Sequence, residues 1–432
     1  MSFDALRAKS AATTPATDRP VRCGFLFNHE QLHQIAHSAP IALELMRSGG
    51  SIETRLLATT QPQYDYLQRL LVRHGLPTDE LQLIGLPGSL RKLATTLDLL
   101  VPFSRVATLL SNREQFRQLD VLVTPEKTSL LLRSMAGLEA LKFIHTRHGA
   151  GDRAVGFDHH SGEFDLVLMS GEKIRDRLQA ADLLKAGHYA IVGYPKFNLC
   201  SHKERLGLFD NDLPTVLYNP HCSPRLSSWY RYGLDVIEAF YRSGKYNLIF
   251  APHVMLFRKK LQISFDPFRL NRPGRIPARY YDCPHIFIDL GSYRSCDMTY
   301  TESADCYLGD VSSQVYEFLR RPRPCAFIDA HLTDWRDDPN YSHWNSGPVL
   351  IDIDELMPTI DAAFAQHAEY VQAQRSLFTY SIDIRETPSS QRGAEAILSF
   401  IQETFRRNIE PGIVAADTGR ASPTERPAHS II

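Results

Sequence analysis

No C-x-x-C pair occurs among the seven cysteines of this 432-residue chain. Cys23, Cys200, Cys222, Cys283, Cys296, Cys306 and Cys325 are scattered singly, an odd set that suits reduced thiols better than a disulfide framework. A zinc site built on cysteine is disfavoured for the same reason. No run of about 18 apolar residues appears, and the N-terminal stretch lacks the apolar core of a secretory signal. A cytoplasmic protein is expected, and neither absence excludes peripheral attachment to the inner membrane face. Charge of one sign is missing too: 48 Lys and Arg against 49 Asp and Glu leave a net charge of −1. Without a basic field to release counterions, nucleic acid is not an expected partner. Nor does a G-x-G-x-x-G follow the first apolar run, so no NAD site is signalled.

What the chain does have is a repeated alternation. Residues 1–20 and 411–432, rich in Ala, Thr, Pro and Ser, read as disordered tails. Between them, buried-strand runs at 21–27, 53–59, 81–86, 119–125, 141–149, 164–171 and 189–195 are interleaved with helical patterns such as 38–50 and 64–75. The series restarts with strands at 213–220, 246–253, 284–291, 304–310 and 324–329. A long helix at 227–244 and a last amphipathic helix near 390–407 accompany it. Strands alternating with helices imply parallel sheets covered on both faces. The expected architecture is α/β, with a Rossmann-like domain over 21–198, a second over 199–388, a C-terminal helix over 389–410, and the two domains facing each other.

Ligands of open α/β sheets sit beyond the carboxyl ends of the strands, and the unusual polar residues cluster there. "HTRHGAGDR" (145–153) puts His148 beside Gly149 and Gly151 in a tight turn. Glycines let backbone N–H groups approach an anion, and a histidine there titrates in the range of a general base. A glycine turn with a surface histidine explains the same residues. His145, His148, His159 and His160 offer nitrogen ligands, yet on a strand His145 and His148 fall on opposite faces, and no metal is expected. "LYNPHCSPRLSS" (217–228) carries His221 and Arg225, which reach a phosphate or stay solvated, and Ser227 or Ser228, which suit a helix cap. "FAPHVMLFRKK" (250–260) places His253 just past an apolar strand, ahead of Arg258, Lys259 and Lys260. A donor at His253 would neutralise a leaving diphosphate.

"ADCYLGDVSSQVYEF" (304–318) ends a strand and begins a helix after Ser312. Free N–H groups and the helix dipole would favour a phosphate, with Ser312 and Ser313 adding hydrogen bonds. Glu317 is spaced to accept both ribose hydroxyls, and Asp310 to orient the loop. A helix cap alone would need one serine and neither acid.

Taken in order, these pieces resemble the CDP-glycerol glycerophosphotransferases, which build teichoic-acid-type polymers on a GT-B glycosyltransferase fold. The matches are His148-Gly149, "VGYPKFN" (192–198), "VLYNPHCSPR", Pro252-His253, and Asp310, Ser312, Ser313, Glu317 and Phe318, over roughly residues 140–330. The resemblance implies His148 as the base that activates an acceptor hydroxyl. It also implies His253, Ser312 and Ser313 on the donor diphosphate and Glu317 on the ribose; with Gly149, Gly151, His221 and Arg225, read above from the residues themselves, these make up the expected phosphate-binding set. It implies no cofactor beyond a nucleotide-activated donor such as CDP-glycerol, and a polymer or lipid-linked acceptor. The family continues its H-G turn with Thr-Pro and a lysine, where this chain has "AGDRAVG" with Asp152 and Arg153. Two other readings share the expected fold. One is a UDP-N-acetylglucosamine 2-epimerase-like isomerase, although that family's glutamate beside the H-G turn is not evident here. The other is a non-catalytic nucleotide-binding protein.

Overall fold

A computed structural model describes residues 19–29, 32–50, 52–88, 103–147, 149–200, 205–258, 262–265 and 268–405, together with 90, 94, 97 and 98. The expected tails therefore lie outside the described residues apart from Arg19 and Pro20, as do His148, Lys259 and Lys260.

The first sheet is parallel and runs β3-β2-β1-β4-β5-β6-β7. Its strands are β1 (Val21–Phe27), β2 (Ile52–Ala58), β3 (Leu81–Leu83), β4 (Val121–Thr124), β5 (Lys142–His145), β6 (Leu166–Met169) and β7 (Tyr189–Ile191). β1 pairs with β2 on one side and β4 on the other, and helices cover both faces. That double burial is why "VRCGFLF" is an almost unbroken apolar run instead of an alternating one.

The second domain contributes β8 (Thr215–Asn219), β9 (Asn247–Phe250), β12 (Ile286–Ile288), β13 (Cys306–Gly309), β14 (Cys325–Ile328) and β15 (Val349–Leu350) in the order β12-β9-β8-β13-β14-β15. An antiparallel hairpin, β10 (Gln262–Phe265) and β11 (Phe268–Asn271), is inserted between β9 and β12. Counted within its own domain, each sheet follows the doubly wound order 3-2-1-4-5-6, with a topological switch point beside its first strand. The helix Trp229–Ser243 stops where Gly244 adopts φ 57° and donates its N–H to Phe240 O at 3.1 Å. This left-handed position suits glycine.

The sequence set the last helix apart, after the second domain. In the structure Ser389–Phe405 packs on the helix Ile35–Ser48, and Ile397 and Ile401, both at 0% exposure, complete the first domain's core. Each such side chain contributes about 1.5–3 kcal/mol by leaving water. The chain therefore crosses between domains twice, and the two crossings are stitched together. Tyr194 N donates to Ser389 Oγ at 3.0 Å, and Ser390 N to Asn198 Oδ1 at 3.0 Å. No helix among the described residues is long and apolar enough to cross a membrane.

Candidate functional site

The second domain's switch point lies between β8 and β13, and two loops leave it side by side. Asp310 fastens them: its carboxylate accepts from His221 N (2.9 Å), Ser228 N (2.6 Å), Ser228 Oγ (2.9 Å) and Val311 N (2.6 Å). Burial raises its pKa, and these N–H and O–H donors pull it back. Ser228 thus spends its hydroxyl on Asp310 and does not cap the following helix as its position suggested. Asn219, at the end of β8, donates to Ala251 O at 2.6 Å and accepts from Ser312 Oγ at 2.7 Å, joining three strand ends.

Two cavities open above these loops, of about 370 and about 320 Å³. Gly149, Arg153, His221, His253, Ser312 and Ser313 line both, so they form the shared rim. Five of these six are among the residues the sequence singled out. Gly151 lines only the first cavity and Glu317 only the second. Arg225 is exposed and lines neither, so the structure does not bring it to the rim. Arg147 and Gly149, the neighbours of His148 in sequence, line the first cavity, while His148 itself lies outside the described residues.

The rim is tight because the glycine turn rests on the serine loop. Gly149 has φ 76°, and a Cβ there would lie 3.2 Å from Ser313 Oγ. A Cβ on Gly151 would lie 2.9 Å from Ser313 Cβ. The close approach that glycine permits is thus made to Ser313 across the cleft. The helix that follows, Gln314–Phe318, has only five residues, so its dipole is far weaker than the sequence suggested. Hydroxyls and loop N–H groups are the donors there. Burial, with His253 and Arg153 adding to it, pushes the His221 imidazole well below its usual range, so it is neutral. His253 accepts at Nδ1 from Met255 N–H (3.2 Å), which leaves its proton on Nε2 as a donor.

Glu317 is held from one side. Lys196 Nζ lies 2.6 Å and Tyr194 Oη 2.9 Å from Oε1, while Oε2 takes no hydrogen bond among the described residues. Burial works against the Lys196 charge, but the Glu317 carboxylate outweighs it and raises its pKa. Both Tyr194 and Lys196 come from "VGYPKFN", where the sequence marked the segment without giving these two a task.

A second buried cluster was not legible. Asp152 Oδ1 meets Lys173 Nζ at 2.5 Å, Oδ2 meets His343 Nδ1 at 2.8 Å, and Tyr316 Oη donates to Oδ2 at 2.7 Å. Lys173 also donates to Ala150 O at 2.6 Å and lies 3.7 Å from the Tyr316 ring centroid. Burial alone would raise the Asp152 pKa, but the Lys173 ammonium and His343 hold it below the carboxylate range. Burial lowers Lys173 to about 8 despite Asp152. His343 Nε2 in turn donates to Asp310 O at 2.9 Å, linking this cluster to the loop clamp.

Of the histidines weighed as metal ligands, His145 stacks on Phe164 and turns Nε2 to Pro125 O. His159, His160 and Glu163 bring ligand atoms within 4.8 Å of one another on exposed surface, a group that does not include His145. His160 Nδ1 is already 2.7 Å from Glu163 Oε1.

Two facing doubly wound domains with a cleft at both switch points decide the architecture. The chain has a GT-B-like fold. No protein-family model matches it, and no curated protein does. Solved structures do. The wall teichoic acid polymerase TagF soaked with CDPG superposes with a TM-score of 0.56 at 13% identity, over 90% of this chain and 90% of that one. A UDP-N-acetylglucosamine 2-epimerase gives 0.55 at 11% identity over 91% and 99%. S. aureus MnaA with UDP gives 0.51 at 11% over 90% and 97%. At these identities the likeness is one of fold.

Proposed function

We propose that this GT-B-like protein is an enzyme that transfers glycerol phosphate, another polyol phosphate or a sugar from a nucleotide-activated donor to a hydroxyl acceptor in cell-surface polymer synthesis. The observation that carries the reading is the shared rim. Phosphate-binding side-chain types (His221, His253, Ser312, Ser313, Arg153) stand where two cavities meet, with a carboxylate, Glu317, in only one of them. The second cavity then takes the nucleoside, with Glu317 Oε2 toward the ribose hydroxyls. The rim takes the phosphates, and the first cavity takes the transferred group and the acceptor.

In that arrangement an acceptor oxygen bonds to the transferred group as the bond to the nucleotide phosphate breaks. His148, between two cavity-lining residues, removes the acceptor proton. The His253 Nε2–H and the Ser313 hydroxyl stabilise charge on the departing phosphate, while Ser312, whose proton goes to Asn219 Oδ1, holds the loop in place. The likeness to the polymerase TagF, soaked with CDPG, supports this reading.

A thermal-shift screen of CDP, UDP, GDP and CMP tests it, because a ligand bound only by the folded chain raises the midpoint. Glu317→Gln should weaken the nucleotide that binds by about tenfold, and unchanged affinity would remove the ribose assignment. His148→Ala should spare donor binding and abolish transfer. The fold likeness to an epimerase is equally strong (0.55 against 0.56), which gives an isomerase reading its own test. Turnover of UDP-N-acetylglucosamine with no acceptor present would favour the isomerase.

A further inference from the structure

The first cavity has more positive charge than its own acids neutralise. Three carboxylates reach its wall, and each has a cation. Glu126 pairs with Arg105 at 3.2 Å, Asp158 with Lys127 at 2.8 Å, and Asp152 with Lys173 at 2.5 Å. Arg147 and Arg153 line the same wall and pair with no carboxylate among the described residues. Arg147 donates Nη1 to Gly156 O at 2.9 Å and lies 4.9 Å from the Phe157 ring centroid, while its buried Nε has no partner. Arg177 sits over the same ring at 4.1 Å, so a like charge is close by. The guanidinium rests on bare backbone, since a Cβ on Gly156 would come within 2.9 Å of Nη2. Arg147 also holds φ 49°, a conformation costly for a side chain with a Cβ and one that clusters at functional sites.

Arg153 stands at the rim with Nη1 2.5 Å from His221 Nε2. His221 already accepts at Nδ1 from Ser223 N–H at 2.9 Å. A neutral imidazole has one lone pair to offer, so it cannot accept both N–H groups. Arg153 Nη1 therefore finds no acceptor on His221, and the residue lines the cavity. Burial lowers both arginines; at Arg147 the Arg177 charge adds to it and Asp158 offsets only part, leaving Arg147 at about 10.

We propose that Arg147, with Arg153 at its edge, forms an oxyanion subsite, so that the co-substrate entering the first cavity carries a phosphate monoester or a carboxylate. Guanidinium forks match either oxyanion in bidentate fashion. The subsite extends beyond the rim that the donor phosphates would occupy, because Arg147 lines the first cavity alone and only Arg153 borders both. The word co-substrate rests on the transferase reading; the anion site does not.

Calorimetric titration of the full chain tests the subsite, with glycerol 3-phosphate, glycerate and uncharged glycerol as probes. The titrations are run with and without whichever of CDP and UDP binds. At least one anion should bind about tenfold or more above glycerol, and the tighter of the two names the class. Arg147→Asn removes the charge with a residue that tolerates positive φ. It should weaken the anion about tenfold or more while leaving nucleotide affinity within about twofold. Arg147→Lys, which keeps the charge and loses the fork, should fall between and guards against a folding failure. Anions binding no better than glycerol, or both variants binding them like the parent chain, would overturn the subsite. So would an equal loss of nucleotide affinity, which would assign Arg147 to the donor. If none of CDP, UDP, GDP and CMP binds, the transferase reading fails, and the titration on the free protein still decides the anion site.

Discussion

Asp152 Oδ2 and His343 Nδ1 lie 2.8 Å apart although 191 residues separate them, and the bond joins the first domain to the second. Tyr316 from the second domain and Lys173 from the first complete the cluster, with Asp152 2% and Lys173 3% exposed. Asp152→Asn removes the countercharge and leaves a buried ammonium. Breaking one partner of such a pair costs about 3–5 kcal/mol. Urea denaturation should show that loss, and Asp152→Asn combined with Lys173→Met should recover much of it. A single variant as stable as the parent would mean that the buried cluster contributes little to stability.

The same carboxylate sets an acid limb. Asp152 is held below its ordinary range in the folded chain and titrates near about 3.9 when unfolded. As pH falls below about 4, the unfolded chain takes up a proton that the folded one refuses, so stability declines. Asp158, Asp289 and Asp383 are held low as well, which leaves some slope in any variant. Asp310, raised by burial, acts in the opposite sense. Denaturation midpoints from neutral pH downward should fall less steeply in Asp152→Asn than in the parent.

The contact between the glycine turn and the serine loop predicts a rescue. Gly151→Ala would set a methyl 2.9 Å from Ser313 Cβ, which forces the loops apart by a fraction of an ångström. Overpacking of this kind costs about 1–3 kcal/mol. Ser313→Gly removes the opposing atom, so the double variant should regain stability beyond the sum of the singles. Additive effects in a double-mutant cycle would contradict the contact.

Ile397 belongs to a core whose β1 and Ile35–Ser48 side chains lie more than 300 residues upstream of it. Ile397→Ala should destabilise by about 2–5 kcal/mol, and hydrogen exchange should show faster opening in β1 and in the helix Ile35–Ser48. If protection is lost only in the second domain, the packing assignment is wrong.

Strand positions were legible because most buried strands are short apolar runs bounded by polar, Pro or Gly residues. Val21–Phe27 and Cys306–Gly309 fall where that pattern put them. The convergence of His221, His253, Ser312 and Ser313 followed, since doubly wound sheets gather strand ends at one edge. Length was harder to read: the helix after Ser313 stops at Phe318, ahead of Pro322, and loses the dipole expected of it. Partners remote in sequence could not be read at all. Nothing local to Asp152 points to Lys173, Tyr316 or His343, and nothing local to Ser389–Phe405 says which domain it covers. Arg225 shows the converse, a suitable residue beside a site that its backbone turns away from.

The double crossing between domains has a mechanical consequence. Two covalent strands tied to each other by Tyr194–Ser389 and Asn198–Ser390 act as a pair of pins on one door. They permit the cleft to swing about the line they define and resist both twist and sliding. A cut in either strand would leave the two domains joined by one covalent link, with the contacts between them as their remaining hold.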